Sequence, residues 1–290
     1  MVNDPDLVYK NLFVRVIEAN KRFYQTYPED VERVHDICKL ITANPNKPIV
    51  LANGGFLTLR RFQQLGLFLG VQGGSEQLHY LLLDAFVDSV TKQVSEMEIV
   101  DNLRESNLKA ATDDKPRQAF SYKFLSSFLH VLPFETNPIY AILHESIYCQ
   151  GKASLWSAKR VLNEHFRDAF EYKPGKPFFF TGEMIFDWMF EDYDRLRPLR
   201  KAADILARKS DWPPLYDANS LVNTKVPIAC AVYYEDMYVD FNLCMQMARP
   251  IANAKLWITN EYYHSAIRDN GEEIINKLMD MLSQQFNANL

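Results

Sequence analysis

Apolar residues return every four positions at the start of the chain. Val8, Leu12 and Val16 form one stripe that runs out before Tyr27-Pro28, and Val31, Val34, Cys38 and Ile41 form a second that ends at Asn44-Pro45. Two amphipathic helices follow from that spacing. Thr58 and Ser75 are each expected to cap a further helix, the first carrying Leu59, Phe62, Leu65 and Leu69, the second Leu78, Leu81, Leu82, Ala85 and Phe86. The pattern predicts more helices over 137–149, 154–170, 183–190 and 196–207. The polar stretch 106–118, with Lys109, Asp113, Asp114, Lys115 and Pro116, has no sustained period and reads as an exposed loop.

The pattern changes after Trp212-Pro213-Pro214. Residues 226–234 are a continuous β-branched and apolar run without polar alternation, as expected of a strand covered on both faces, and 256–259 is a second short run of the same kind. Between them, 243–251 reads as a helix, and Ile274, Ile275, Leu278, Met281 and Leu282 mark an amphipathic helix at the end. Strand, helix, strand, helix is the unit of an α/β fold with a parallel sheet. Two strands do not make a stable, doubly covered sheet, because each exposes a hydrogen-bonding edge. The expected organisation is a helical region over 1–218 and part of an α/β core over 219–290.

Composition narrows the function classes. With 290 residues, 48% of them hydrophobic and 13% aromatic, the chain can bury a large core. Its 32 Lys+Arg against 37 Asp+Glu, both signs interspersed, give a net charge of −5 and no basic field for nucleic acid. The first residues lack the basic start and apolar run of a signal peptide, and no apolar stretch approaches the roughly 20 residues that span a bilayer. A soluble, cytoplasmic protein with no membrane partner is the expectation. Cys38, Cys149, Cys230 and Cys244 are widely spaced in apolar contexts, without the paired spacing of a metal site, and read as reduced packing residues.

The chemistry-bearing residues follow the two strands. In open α/β sheets functional groups gather just past the C-terminal strand ends. Asp236 follows the first run and His264 the second, 28 residues later. A carboxylate on one imidazole nitrogen fixes the tautomer and offsets the charge that develops when the other nitrogen takes a proton, so Asp236 would orient His264 as a general base. The bland alternative is an aspartate that caps the next helix and a histidine in a surface loop.

Val226-Pro227 followed by the apolar run and Asp236 is similar to the strand that delivers the acid of a catalytic triad in α/β-hydrolases, and Tyr263-His264-Ser265-Ala266 resembles their histidine loop. Taken with 21–30, 78–82, Asn137-Pro138-Ile139-Tyr140-Ala141, His144-Glu145, 181–186 and 233–240, the chain resembles the proline iminopeptidase family of serine peptidases. That resemblance implies the C-terminal part of an α/β-hydrolase fold with a large helical cap, a substrate that is a small peptide with a free N-terminus, and release of its N-terminal proline through an acyl-enzyme, with no cofactor and no metal. It further implies that cap glutamates hold the α-amino group, for which Glu145 and Glu183 are the candidates, with Phe186 and Trp188 walling a site for the proline ring. A closed, low-dielectric carboxylate pair would favour an ammonium and reject blocked N-termini.

The family's GxSxG nucleophile does not occur in these 290 residues. Gly73-Gly74-Ser75-Glu76-Gln77 lacks the second flanking glycine, and Ser126, Ser127, Ser146 and Ser154 fall in helical patterns. Three readings follow: a shortened prolyl aminopeptidase, inactive alone because triad members act as a unit; a non-catalytic binding or regulatory protein whose sheet edge a partner or second copy covers; and a half-site completed by another chain.

Overall fold

The computed structural model describes residues 4–87 and 119–287. The expected loop over 106–118 lies outside them. The first stripe becomes helix α1 (Pro5–Thr26), started by the Asp4 carboxylate accepting from the Asp6 N–H, with Val8, Tyr9, Leu12, Phe13, Val16 and Phe23 on its buried face. The second becomes α2 (Asp30–Thr42), burying Val34, Ile37, Cys38 and Ile41. A two-residue antiparallel ladder, β1 (Ile49–Val50) on β2 (Phe56–Leu57), follows without having been legible as strands.

Thr58 does cap a helix, accepting from the Arg61 N–H, but the α-helix covers only Leu59–Gln63 before tightening to 3₁₀ geometry over Gln64–Gly70. The cap expected at Ser75 is corrected: the helix begins at Gly74, preceded by Gly73 at φ +67°, a left-handed conformation that glycine adopts without a Cβ penalty. Ala85 and Phe86 fall past its end at Leu83, and Phe86 bridges to Phe120.

The stretch 137–149 forms helix Pro138–Leu143 and a 3₁₀ turn Glu145–Tyr148. That over 154–170 starts later, at Ser157, after Leu155 and Trp156 take positive φ, and loosens to a π turn over Leu162–Phe166. The helix expected over 183–190 is a correction of substance. Only Met189–Asp192 is helical, and 177–187 runs as irregular chain. Its apolar density belongs to the core, where Phe178, Phe180, Met184, Ile185 and Phe186 are buried, while its backbone bonds across the fold. The Phe180 N–H donates to Asn20 Oδ1 at 2.7 Å, and the Thr181 N–H to the Gln63 carbonyl at 2.8 Å. The stretch 196–207 splits into a 3₁₀ segment, Asp194–Leu199, and helix Arg200–Arg208.

Strand β3 (Ile228–Tyr233) pairs in parallel with β4 (Ala254–Thr259), Ile228 opposite Ala254 and Tyr233 opposite Thr259. Helix Phe241–Ala248 connects them, and the last helix, Ala266–Asn287, kinks at Asn270. The strands are half-buried rather than covered on both faces: only Val232 on β3 and Thr259 on β4 are buried. Among the described residues these strands pair only with each other. All four cysteines are free thiols, Cys38 and Cys149 buried, Cys230 and Cys244 half-buried. No helix among the described residues is long and apolar enough to cross a membrane.

Candidate active site

Parallel pairing brings the ends of β3 and β4 side by side, and the loops beyond them carry the two groups singled out above. Asp236 lies three residues past β3 and is buried. Its Oδ1 accepts from the N–H groups of Tyr238 at 2.7 Å and Val239 at 2.9 Å, a local turn that fixes the carboxylate. Its Oδ2 lies 3.0 Å from Nδ1 of His264. The hydrogen bond to Asp236 holds the His264 imidazole above its ordinary pKa, with the charges of Asp236 and Glu183 adding and burial opposing.

The helical region grips both loops. Met237 and Tyr238 are buried within its core. The Tyr238 ring stands edge-on to the imidazole at 4.9 Å, and its hydroxyl donates to the Leu67 carbonyl. Gly70 makes the room, since a Cβ there would sit 2.5 Å from the Tyr238 ring. Asp240 is buried and starts helix Phe241–Ala248 by accepting from the Leu243 N–H at 3.0 Å, while Asn11 of α1 donates to the same carboxylate at 3.0 Å and Arg15 at 3.4 Å. The Gln72 N–H donates to Ser265 Oγ at 3.2 Å, tying down the histidine loop.

Glu183 joins this site electrostatically. Its charge acts on His264 and on the phenols of Tyr9, Tyr140, Tyr148 and Tyr238. Burial is the larger cause in each tyrosine, and it pushes Tyr148 up to about 12. Glu183 is held in place from behind: Gly182 packs so tightly that a Cβ would meet Val16 Cγ2 at 2.7 Å, and a Cβ on Gly66 would meet the Thr181 carbonyl oxygen at 1.7 Å.

Glu145 is engaged differently. Its buried carboxylate accepts from the N–H groups of Ser157 at 3.1 Å and Ala158 at 2.9 Å, closing the N-terminus of helix Ser157–Val161. Burial raises its pKa to about 6 against those hydrogen bonds. Phe186 and Trp188 stack on each other at 5.4 Å, and the Arg60 guanidinium lies over the indole at 5.0 Å. Asp236, His264 and Glu183 therefore come together, whereas no hydrogen bond or ring contact among the described residues links Glu145, Phe186 or Trp188 to that trio. Tyr9 was not singled out from sequence, Tyr140, His144 and Tyr238 were noted only within the segments that carry the resemblance, and Tyr148 only as an aromatic neighbour of Glu145. The four-residue spacing of Tyr140, His144 and Tyr148, polar aromatics in an otherwise apolar stretch, is the signal that marks three of them.

A metal would find one cluster among the described residues, Glu29, Asp30 and His79, with ligand atoms within 4.8 Å of one another. Asp30 is already paired with Arg33 and bonded to His79 Nδ1 at 2.8 Å.

Comparison with known proteins gives this arrangement a context. The chain is 41% identical over 274 residues to a proline iminopeptidase of Aeromonas sobria, covering 94% of this chain and 56% of the relative. It is 34% identical over 275 residues to proline iminopeptidase aneH of Aspergillus aculeatus, covering 95% and 54%. The chain belongs to the proline iminopeptidase family. It spans about half the length of these curated relatives. No protein-family model matches it. Family membership implies an α/β-hydrolase fold, with which a largely helical chain bearing a small parallel sheet agrees.

Proposed function

We propose that the chain carries the acid, the base and the amine-recognising face of a serine aminopeptidase that releases N-terminal proline. The hydrogen bond between Asp236 and His264 at the ends of adjacent parallel strands carries this reading. In it, Asp236 fixes the Nδ1–H tautomer of His264 and stabilises the imidazolium, and Nε2 takes the nucleophile's proton and later returns it to the leaving amine. Glu183 holds the substrate's free ammonium, which the site then stabilises as an ion pair in a partly desolvated space. Glu145, with both carboxylate oxygens on backbone N–H groups, supports the wall of that space rather than the ammonium itself.

The nucleophile and the strands that complete the sheet come, in this reading, from polypeptide outside these 290 residues. Curated relatives of which the match covers only 56% and 54%, and the unpaired edges of β3 and β4 among the described residues, support it. The 290-residue chain alone is then expected to hydrolyse L-proline p-nitroanilide no faster than buffer. Hydrolysis that disappears in His264→Ala would show that the chain holds its own nucleophile. Nitrogen-15 NMR titration of the histidines tests the acid–base pair: His264 titrates above the ordinary value of about 6.5 and returns toward it in Asp236→Asn. An unchanged His264 in that variant removes the hydrolase assignment.

A further inference from the structure

Six buried side-chain polar atoms among the described residues lack a well-formed hydrogen bond, and three of them, Tyr9 Oη, Tyr140 Oη and His144 Nε2, belong to residues that sense the charge of Glu183, with the Tyr140 hydroxyl directed toward its carboxylate and the His144 ring toward its backbone. A buried polar group without a partner is destabilising, so such groups are rare and their gathering around one carboxylate calls for a ligand. Tyr9 is completely buried and His144 nearly so. The rings are locked against one another: Tyr140 lies 5.0 Å from His144, His144 stands edge-on to Tyr148 at 5.9 Å, and Tyr148 edge-on to Tyr9 at 6.2 Å. The hydroxyls are therefore fixed rather than free to swing into solvent. The negative charge of Glu145 also reaches Tyr9, so this phenol feels both glutamates.

We propose that the hydroxyls of Tyr9 and Tyr140 complete the recognition of a secondary ammonium beside Glu183, making them specificity-determining residues for an unblocked N-terminal imino acid; this rests on the aminopeptidase reading above. A prolinium offers two N–H bonds and one positive charge. Glu183 meets the charge and accepts one N–H. A phenol accepts the other while directing its own proton to a carboxylate, a pairing open to a group that is both donor and acceptor. Burial lowers the pKa of His144, which keeps its ring neutral and spares the ligand a competing cation. An N-acylated proline or a neutral ring of the same shape lacks these donors and leaves the phenols unpaired.

Calorimetric titration of the 290-residue chain with prolinamide, with N-acetylprolinamide and cyclopentanecarboxamide as controls, tests this in the parent and in Tyr9→Phe, Tyr140→Phe and Glu183→Gln. The parent prefers prolinamide. Each Phe variant weakens prolinamide binding about 5- to 10-fold, the share of one hydrogen bond, and leaves the controls unchanged. Their thermal midpoints without ligand stay level or rise, because an unsatisfied buried oxygen has been removed. Prolinamide binding that survives both Phe substitutions but fails in Glu183→Gln overturns the role of the phenols and leaves that of Glu183 standing. No preference for prolinamide in the parent, or none lost in Glu183→Gln, overturns the amine reading and this inference with it. A midpoint that falls by several degrees in both Phe variants assigns the hydroxyls to structure and also overturns the proposal.

Discussion

The helical region and the strand pair are built to different standards of closure. Around α1, side chains such as Tyr9, Leu12, Phe13 and Val16 are at most 1% exposed, and a charged group that reaches inside is engaged by its surroundings: Arg61, fully buried, donates to Glu135 at 3.0 Å and to the Asp192 carbonyl at 3.1 Å and lies over the Tyr193 ring at 3.8 Å. Around β3 and β4 most side chains are half-buried, and Val226 and Ile258 are exposed. Of the buried apolar residues past 218, Met237 and Tyr238 belong to the helical core. The lesson is that the acid loop is covalently part of the sheet but packed as part of the helices. Stability should therefore sit in the helical region, while the geometry of the site should depend on how that region grips residues 235–240.

The strongest way to break this contrast is Arg61→Leu. Glu135 would lose its buried partner, and a loss of about 3–5 kcal/mol is expected in urea unfolding. Next come matched leucine truncations. Leu12→Ala on α1 should cost about 3–4 kcal/mol, and Leu256→Ala on half-buried β4 about 1–2 kcal/mol. Equal losses would erase the distinction between the regions. Gly70→Ala sharpens it: the atoms nearest the new Cβ all belong to the Tyr238 ring and hydroxyl, so a loss of about 1–3 kcal/mol should come with a fall in the His264 pKa read by NMR.

Asp236→Asn should affect the pair with little effect on the fold. The folded pKa of His264 lies above its unfolded value, so its stabilising contribution is complete below about 6.5 and fades as the pH rises through the raised folded value. With the imidazole 37% exposed, that contribution is under about 1 kcal/mol, and the variant should lose only this pH-dependent part. Smallest is Arg22→Ala, which removes an exposed bridge to Glu235 and should change stability by less than about 0.5 kcal/mol. A larger effect would mean that the grip on the acid loop extends to its surface.

What the sequence revealed follows the range of the forces involved. Val8, Leu12 and Val16 declared α1 because helix periodicity is local, and the runs at 226–234 and 256–259 declared two strands for the same reason. Asp236 and His264 were legible because strand ends place such groups by a general rule. The irregular course of 177–187 was not, since its phenylalanines look like a helix face while its backbone partners, Asn20 and Gln63, are more than a hundred residues away in sequence. The hydrogen bonds of Glu145 were not legible for a related reason: the N–H groups it accepts from belong to a turn set by Trp156 in a left-handed conformation, which no spacing announces. Gly73 did the same to Ser75.

Asp240 has one more implication, for motion. The same carboxylate starts the helix after the loop that carries Asp236 and receives Asn11 and Arg15 of α1, so swinging α1 outward would drag along the loop whose carboxylate bonds His264. Opening the fold at that corner and breaking the Asp236–His264 bond are then a single event, so under the proposed function a substrate would have to arrive by a door hinged elsewhere.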